Sequence, residues 1–222
     1  MFKKTMMVAM LLVAVASTAS AQTKVQVSFL AGYTVSDGVS GDMRLAPDGK
    51  TYDRIDPKDG ANFGFSVGFM VNPQTEIGFM FRRQMSEMQI SGATTTDVGK
   101  VNIDGYHGYF AYYFGDPEAR VNPYFLGGFG ATYLGAFTYN IPGGAGTKPI
   151  SGKGQFSSTW GTGIRVNAAQ HVALKFGVSW TPTYIKSDPA GYWCDPWYGC
   201  YVVGNAQYAN QFHFEGGITI RY

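Results

Sequence analysis

The sequence ends with FHFEGGITIRY, residues 212–222, in which two kinds of side chain alternate. The even positions are aromatic, branched or glycine: Phe212, Phe214, Gly216, Ile218, Ile220 and Tyr222. The odd positions between them include His213, Glu215 and Arg221. Because successive side chains of a β-strand point to opposite faces, this period of two predicts a strand with one apolar and one polar face.

The first 21 residues have the pattern of an export signal. Lys3 and Lys4 precede an apolar run from Met6 to Ala16, and the small residues 19–21 follow. A basic start, a short apolar centre and an A-x-A site are typical of a secretory signal peptide, so we expect residues 1–21 to be removed. The apolar run is shorter than the roughly 20 residues of a membrane-spanning helix. No later stretch is long and apolar enough for such a helix.

The composition fits a surface that faces lipid. Charged residues make up 14% of the chain and aromatic residues 16%, and there are 30 glycines. Two of the 17 basic side chains lie in the predicted signal, which leaves 15 against 15 acidic ones. Since no basic surplus remains, nucleic acid is not expected as a partner. Roughly 200 residues fit one all-β domain.

Seven further segments alternate in the same way as the last one. They are residues 24–33, 62–71, 76–84, 105–114, 125–137, 155–166 and 172–181. The connections alternate between long and short: 34–60, 72–74, 91–99, 115–117, 140–154, 167–170 and 187–206. Short turns on one side and long loops on the other predict an eight-stranded antiparallel up-and-down transmembrane β-barrel.

The second face of these segments separates a membrane barrel from a soluble β-sandwich. A sandwich buries its apolar face and carries many charges on the other. Here the other face is mostly glycine, serine, threonine and asparagine. Such small side chains suit a narrow lumen better than a solvated exterior, and closure of the sheet removes exposed strand edges.

The export signal, the strand rhythm and the terminal aromatic together resemble the small bacterial outer-membrane β-barrels, the group of the OmpA transmembrane domain, OmpX and OmpW. The resemblance covers residues 22–222 and implies localisation in the bacterial outer membrane, with outer-membrane lipid and lipopolysaccharide as partners. It also implies that the barrel-assembly machinery reads the terminal strand through Ile218, Ile220 and Tyr222.

Charged and imidazole side chains also occur on the polar face. They are Glu76, Arg82, His107, Arg165, Lys175, Glu215 and Arg221. A charge in hydrocarbon is costly, so we expect these side chains to form a polar network in the lumen. Arg82 and Glu215 lie at matching depths, which predicts a contact that plugs the barrel centre. A structural plug is the favoured interpretation, and a gated conduit or proton path is the alternative.

Two charged residues do not fit the alternation. Arg83 and Asp104 fall on the apolar face of their segments. Either they lie near the outer interface, where the arginine can extend its charge to the polar region, or a bulge shifts the register.

The two cysteines, Cys194 and Cys200, lie in the last long loop of an exported chain, so we expect a disulfide. Their spacing is not C-x-x-C, and no zinc-binding set surrounds them. Trp193, Trp197 and Tyr198 form an aromatic tip with this ring. The tip is a candidate contact site for a surface ligand, and a loop fastened against proteolysis is the alternative.

Catalysis and metal binding have little support in the sequence. The first long loop intersperses acidic with basic residues, which argues against a calcium site. Outer-membrane lipid A deacylases use serine, histidine and an acid, but no serine stands two residues from any of the three histidines. We therefore expect no enzymatic activity and no cofactor. The sequence predicts a structural or surface-interaction role, with a narrow channel for small or hydrophobic solutes as the alternative.

Overall fold

The computed structural model describes residues 25–116, 119–144, 146–185, 194–195, 199–200 and 207–222. The predicted signal peptide, residues 1–21, lies outside these ranges, so its removal stays a prediction. Within the described ranges, no helix is long and apolar enough to cross a membrane.

The described residues form fourteen β-strands and one short 3₁₀ turn at Pro142–Gly144. The strands are β1 (Val25–Asp37), β2 (Val39–Leu45), β3 (Thr51–Pro57), β4 (Gly60–Asn72), β5 (Thr75–Gly92), β6 (Thr95–Tyr113), β7 (Val121–Leu134), β8 (Phe137–Asn140), β9 (Thr147–Ile150), β10 (Lys153–Ala169), β11 (Val172–Ile185), β12 (Cys194–Asp195), β13 (Gly199–Cys200) and β14 (Gln207–Arg221).

Eight of these strands close into a barrel. Their order around the wall is β1-β4-β5-β6-β7-β10-β11-β14, and every neighbouring pair is antiparallel. The terminal strand β14 pairs with β11 on one side and with β1 on the other, so it closes the sheet. The predicted eight-stranded up-and-down barrel is therefore confirmed.

The direction of the two faces is also confirmed. On paired strands β1 and β14, Phe29 is 58% exposed and Ile218 is 51% exposed, whereas Ser28 and Thr219 are fully buried. Around the wall, most aromatic and branched side chains point outward, whereas the inward face carries small polar and charged residues together with a few tyrosines, such as Tyr109 and Tyr113. Such an arrangement is unfavourable in water and is the one expected in hydrocarbon.

The inner end of the barrel carries the short turns. Tight connections join β4 to β5 and β10 to β11, and both termini of the barrel meet there through bonds between Val25 and Tyr222. The β6–β7 turn contains Gly115 at φ 86°, a left-handed conformation that favours glycine. In outer-membrane barrels the short turns face the periplasm.

The outer end is more regular than the sequence predicts. Residues 34–60 are not one long loop, because β1 continues to Asp37 and β2 and β3 follow as a hairpin whose second strand pairs with β5. Residues 91–99 are not a polar loop either. Strands β5 and β6 extend well beyond the barrel and are joined by Ala93 and Thr94.

Residues 140–154 contain a further strand instead of forming only a loop. Strand β9 pairs with β8 there. Phe137, expected on the outward face, is buried at 7% exposure, because β7 ends at Leu134 and the chain folds back over the barrel mouth.

These additions form what we call the outer cap: hairpins β2–β3 and β8–β9 with the outer halves of β5 and β6. The cap has an apolar core above the lumen, made of Val39, Ala46, Tyr52, Ile55, Met88, Ile90, Val98, Val101, Ile103, Leu134, Phe137, Tyr139, Ile141 and Ile185. Since Ile103, Leu134 and Ile185 belong to barrel strands, this core is continuous with the inward face of the wall.

Candidate functional site: the barrel lumen and its outer mouth

The middle of the lumen contains an ion pair between Arg82 of β5 and Glu215 of β14. The Arg82 Nε donates to Glu215 Oε1 at 2.6 Å, and its Nη2 donates to Oε2 at 2.8 Å. The same Nη2 also donates to the Ser179 hydroxyl at 3.2 Å. Both charged side chains are less than 10% exposed. The contact expected from the sequence is therefore present, with the two-pronged geometry that gives strong pairs.

A second charged cluster lies nearer the inner end, around Glu76 of β5. Its carboxylate is fully buried and accepts hydrogen bonds from the hydroxyls of Tyr109 and Tyr113. Lys175 of β11 donates to Glu76 Oε2 at 3.2 Å. One carboxylate thus receives two hydroxyls and an ammonium group, which satisfies the oxygen atoms of a buried acid.

The other two predicted basic residues do not join these ion pairs. The guanidinium carbon of Arg165 lies 4.0 Å from the centre of the Tyr113 ring, and its Nε has no hydrogen-bond partner among the described residues. Arg221 donates from Nη1 to Asn167 Oδ1 at 3.0 Å and from Nη2 to the Ala169 carbonyl at 2.8 Å. The expected network is therefore divided into several separate groups.

Two buried histidines lie on the outer side of Arg82. The His107 Nε2 is 2.8 Å from the Ser157 hydroxyl, and the His213 Nδ1 is 2.8 Å from the Thr34 hydroxyl. Asn62 donates to the same threonine at 2.8 Å. The His213 group joins the neighbouring strands β14, β1 and β4, and the His107 contact joins β6 to β10, so the two histidines belong to separate groups on the inner wall.

The lumen retains little free space around these groups. A cavity of about 40 Å³ lies between the two ion pairs and is lined by Arg82, Glu215 and Lys175 among others. A second, of about 10 Å³, lies between Arg82 and the two histidines. A single water needs roughly 10–15 Å³ of such cavity volume, so the larger cavity can hold a few waters and the smaller one about one.

Tyrosines occupy the space that glycines leave open. A Cβ atom at either Gly163 or Gly177 would come within 2.6 Å of the Tyr124 hydroxyl. The glycines of the inward face, which the sequence suggests as lining of a narrow lumen, therefore make room for large side chains from other strands. The lumen is filled by tyrosine as well as by ion pairs.

Arg83 and Asp104 form a pair on the outside of the wall. They are direct partners in the β5–β6 register, with no bulge between them and the inner end of either strand. The Arg83 Nε donates to Asp104 Oδ1 at 2.7 Å, and its Nη2 donates to Oδ2 at 2.6 Å. Arg83 lies about 20 Å from the inner end, at ~3.3 Å per residue along a tilted strand, which is near the outer edge of an apolar band ~25 Å tall. Of the two alternatives, the shifted register is wrong.

Two pairs are missing from the β10–β11 ladder near the outer end, and the register is the same on both sides of this interruption. The ladder pairs Trp160 with Trp180, and its next outward pair is Ser157 with Thr183. Pro182, which has no backbone N–H, lies within the interruption. The inward hydroxyls of Thr181 and Thr159 remain in contact there at 3.2 Å. Beyond Ser157, strand β10 pairs with β7 but not with the described part of β11.

The cysteine loop is described only in part. Strands β12 and β13 place Cys194 and Cys200 as direct Cα partners. This register is compatible with the expected disulfide, which stays a prediction. The aromatic residues Trp193, Trp197 and Tyr198 lie outside the described residues.

Charged side chains of the outer cap pair with one another. Lys58 lies 2.6 Å from an oxygen of Asp97 and 3.6 Å from one of Glu87. The hydrogen bond to Asp97 is the main reason that the pKa of Lys58 is raised, although partial desolvation acts in the opposite direction. Arg54 pairs with Asp37 and Asp56. In the described part of the chain, no group of three or more histidine, cysteine, aspartate or glutamate residues could hold a metal ion.

Sequence reasoning missed the neutral members of the lumen groups. Tyr109 and Tyr113 belong to the Glu76 cluster, and Ser157 contacts His107. The alternation places each of them on the inward face, but it carries no information about which strands face each other across the lumen. The histidine–serine contact is fully enclosed, and Ser157 also accepts a hydrogen bond from Thr132. Its surroundings are those of a packed interior.

A closed antiparallel barrel with lipid-compatible walls and an ionised, hydrogen-bonded lumen defines an integral protein of the bacterial outer membrane. The chain belongs to the outer membrane protein beta-barrel domain family, whose model matches residues 5–198.

Solved structures of this class have the same fold. Neisserial surface protein A superimposes with a TM-score of 0.53 at 11% identity, over 89% of this chain and 97% of that one. OprG from Pseudomonas aeruginosa superimposes with a TM-score of 0.58 at 13% identity, over 90% of this chain and 96% of that one. No curated protein matches the sequence.

Proposed function

We propose that this protein is a closed outer-membrane barrel with a structural or surface-interaction role, whose lumen is plugged by its own side chains. The Arg82–Glu215 pair is the observation that carries the proposal, because it joins strands β5 and β14 through the centre of the lumen. The Glu76 cluster obstructs the inner part in the same way. Above both, the apolar core of the outer cap lies over the mouth.

Planar-bilayer conductance of the refolded barrel tests the plug. A plugged barrel gives no discrete current steps in the wild-type form. The matched variants are Arg82→Ala/Glu215→Ala, which opens the centre, and Arg54→Ala/Asp37→Ala, which removes an exposed pair of the outer cap. Steps that appear only in the first variant support a side-chain plug. Reproducible steps in the wild-type protein refute it.

The surface role rests on the outer cap and on the cysteine loop. The aromatic residues Trp193, Trp197 and Tyr198 are our candidates for contact with a cell surface or with glycans. Binding of the refolded protein to lipopolysaccharide and to host-cell glycans is measured for Trp197→Ala and for Trp180→Ala, a control on the outer wall. Loss of binding in the first variant alone supports the contact role, and unchanged binding contradicts it.

Membrane lipid and lipopolysaccharide are the proposed surroundings of the wall. The barrel-assembly machinery is the proposed partner of the terminal strand. In this interpretation the machinery binds the terminal strand through Tyr222, Ile220 and Ile218 before β14 pairs with β1. The substitution Tyr222→Ala, which keeps the backbone bonds to Val25, then slows assembly in vesicles that contain the machinery, but it does not slow spontaneous folding into detergent. Equal slowing in both would contradict the interpretation.

A narrow route for hydrophobic solutes is the second candidate, and the interrupted β10–β11 ladder favours it. A solute could leave the barrel sideways where Ser157 and Thr183 form the last pair. The double variant Phe156→Cys/Tyr184→Cys continues this register, and its disulfide would join the two strands beyond the interruption. A pair at Thr162 and Val178, which are already partners, is the control. If only the first disulfide abolishes uptake of an apolar dye, the route is supported. If neither disulfide changes the uptake, the route is excluded.

A further inference from the structure

The inner part of the lumen contains a buried cation that has no counter-ion among the residues that the structure describes. Arg165 is 2% exposed, and none of the ion pairs among the described residues includes it. Its guanidinium lies against the Tyr113 ring, which stabilises a cation but supplies no hydrogen-bond acceptor to the Nε. A buried charge of this kind is costly unless an anion or acceptor accompanies it.

The described neighbours of Arg165 do not supply that anion. In the register, Arg165 stands opposite Lys175 on β11 and opposite Asn122 on β7. The lysine is itself positive, and its partner Glu76 already accepts from the lysine and two tyrosine hydroxyls. Among the described residues, Arg165 and Lys175 are therefore two inward cations beside one buried carboxylate, Glu76.

We propose that this end of the lumen is a binding site for a phosphate-type oxyanion, with Arg165 as the main ligand. A guanidinium group presents a planar fork of N–H donors that matches the oxygen atoms of phosphate or carboxylate. Asn122 distinguishes these two anions. Its Nδ2 donates to the Ala119 carbonyl, and its fully buried Oδ1 has no donor among the described residues. A protonated phosphate oxygen can donate to it, whereas an ionised carboxylate cannot.

The anion would enter from the inner end. Asn167 lies two residues nearer that end than Arg165 on the same strand, and its Oδ1 accepts from Arg221 at 3.0 Å. An anion from the periplasmic side therefore meets the guanidinium of Arg221 before that of Arg165. The inference is independent of the proposed surface role and of whether the barrel conducts.

Calorimetric titration with inorganic phosphate tests the site. The wild-type barrel is refolded in an uncharged maltoside detergent, and phosphate, acetate and chloride are compared at constant ionic strength. The expected result is one saturable phosphate site per barrel and no saturable response to the other two anions. Equal responses to all three anions, or none to phosphate, overturn the proposal.

Matched variants locate the site. Arg165→Gln weakens phosphate binding at least ~10-fold, whereas Arg120→Gln, which removes an exposed charge at the same end of the barrel, leaves it unchanged. Unchanged binding in Arg165→Gln overturns the proposal. The unfolding temperature of the wild-type protein is a second measurement that needs no variant. It rises on the order of 5 °C at phosphate about one hundred times Kd, and a flat response also counts against the site.

Discussion

Substitution of Glu215 by glutamine gives the sharpest test of how the lumen is held together. The change removes one charge and keeps the shape of the side chain, so Arg82 remains in place with its charge no longer balanced. At the observed separations of 2.6 and 2.8 Å and an effective dielectric constant of about 20, the attraction between the two charges is about 6 kcal/mol. The cost of removing both charges from water offsets part of this attraction.

The net loss in the free energy of unfolding depends on Arg82, which stays buried without its counter-ion. Loss of one partner of a buried pair typically costs about 3–5 kcal/mol, because the other charge stays buried and unpaired. We expect Glu215→Gln near the lower end of that range, since the amide oxygen and the Ser179 hydroxyl can still accept from Arg82. The double variant Arg82→Met/Glu215→Leu leaves no such charge, so it should recover most of the loss.

Urea unfolding of the barrel in detergent, followed by tryptophan fluorescence, measures these differences as changes in the free energy of unfolding. Glu87→Gln is the control, because this carboxylate is 40% exposed and pairs with Lys58 at 3.6 Å. An exposed pair of this kind contributes about 0–1 kcal/mol. A loss below about 1 kcal/mol for Glu215→Gln would refute the reasoning, and so would a double variant Arg82→Met/Glu215→Leu that loses as much as Glu215→Gln.

Three further predictions follow from other contacts. Tyr113→Phe removes a hydroxyl donor to Glu76 and should lower the free energy of unfolding by about 1–3 kcal/mol, whereas the outward Tyr112→Phe should change it by less than about 0.5 kcal/mol; equal urea midpoints would contradict this role. Partial desolvation acts to raise the pKa of Asp48, but hydrogen bonds from Tyr52 and Lys50 outweigh it and hold that pKa below its usual value. The hydrogen bonds of the Asp48 carboxylate therefore stabilise the β2–β3 hairpin above the unfolded-state pKa, and this stabilisation is lost as the pH falls through the lower folded-state pKa. Proteolysis of the hairpin should increase in that acidic range in the wild type, and Asp48→Asn should abolish this increase. Cys194 and Cys200 should react with an alkylating reagent only after reduction, and labelling of the unreduced protein would exclude the disulfide.

The alternation of side chains is local, and for that reason the sequence by itself determines the class of fold and the direction of each face. Two residues two positions apart share a face in any strand, whatever lies beside it. The stretch Phe212–Tyr222 therefore indicates a lipid-facing strand before any partner is known. The position of Arg82 and Glu215 on the inward face follows in the same way.

The outer cap could not be derived by this reasoning. Residues 34–60 and 91–99 contain the polar residues and glycines that usually indicate loops, but their strands are stabilised by a core that comes from separate parts of the chain. Ile55 lies on β3 and Phe137 on β8, and neither buries its side chain without the other elements of the cap. Tertiary packing there outweighs local propensity.

The pairings inside and outside the wall were decided by the tertiary structure. Arg82 and Glu215 are 133 residues apart, and only closure of the barrel between β14 and β1 sets the register that brings them together. Arg83 and Asp104 break the alternation of the sequence, but the β5–β6 register makes them direct partners on the outer wall. The sequence thus determined which face each side chain occupies, because that depends on neighbours along the chain. The structure decided which charges meet and which one, Arg165, is left without a carboxylate among the described residues, because that depends on strand register and on the narrow, closed geometry of the lumen.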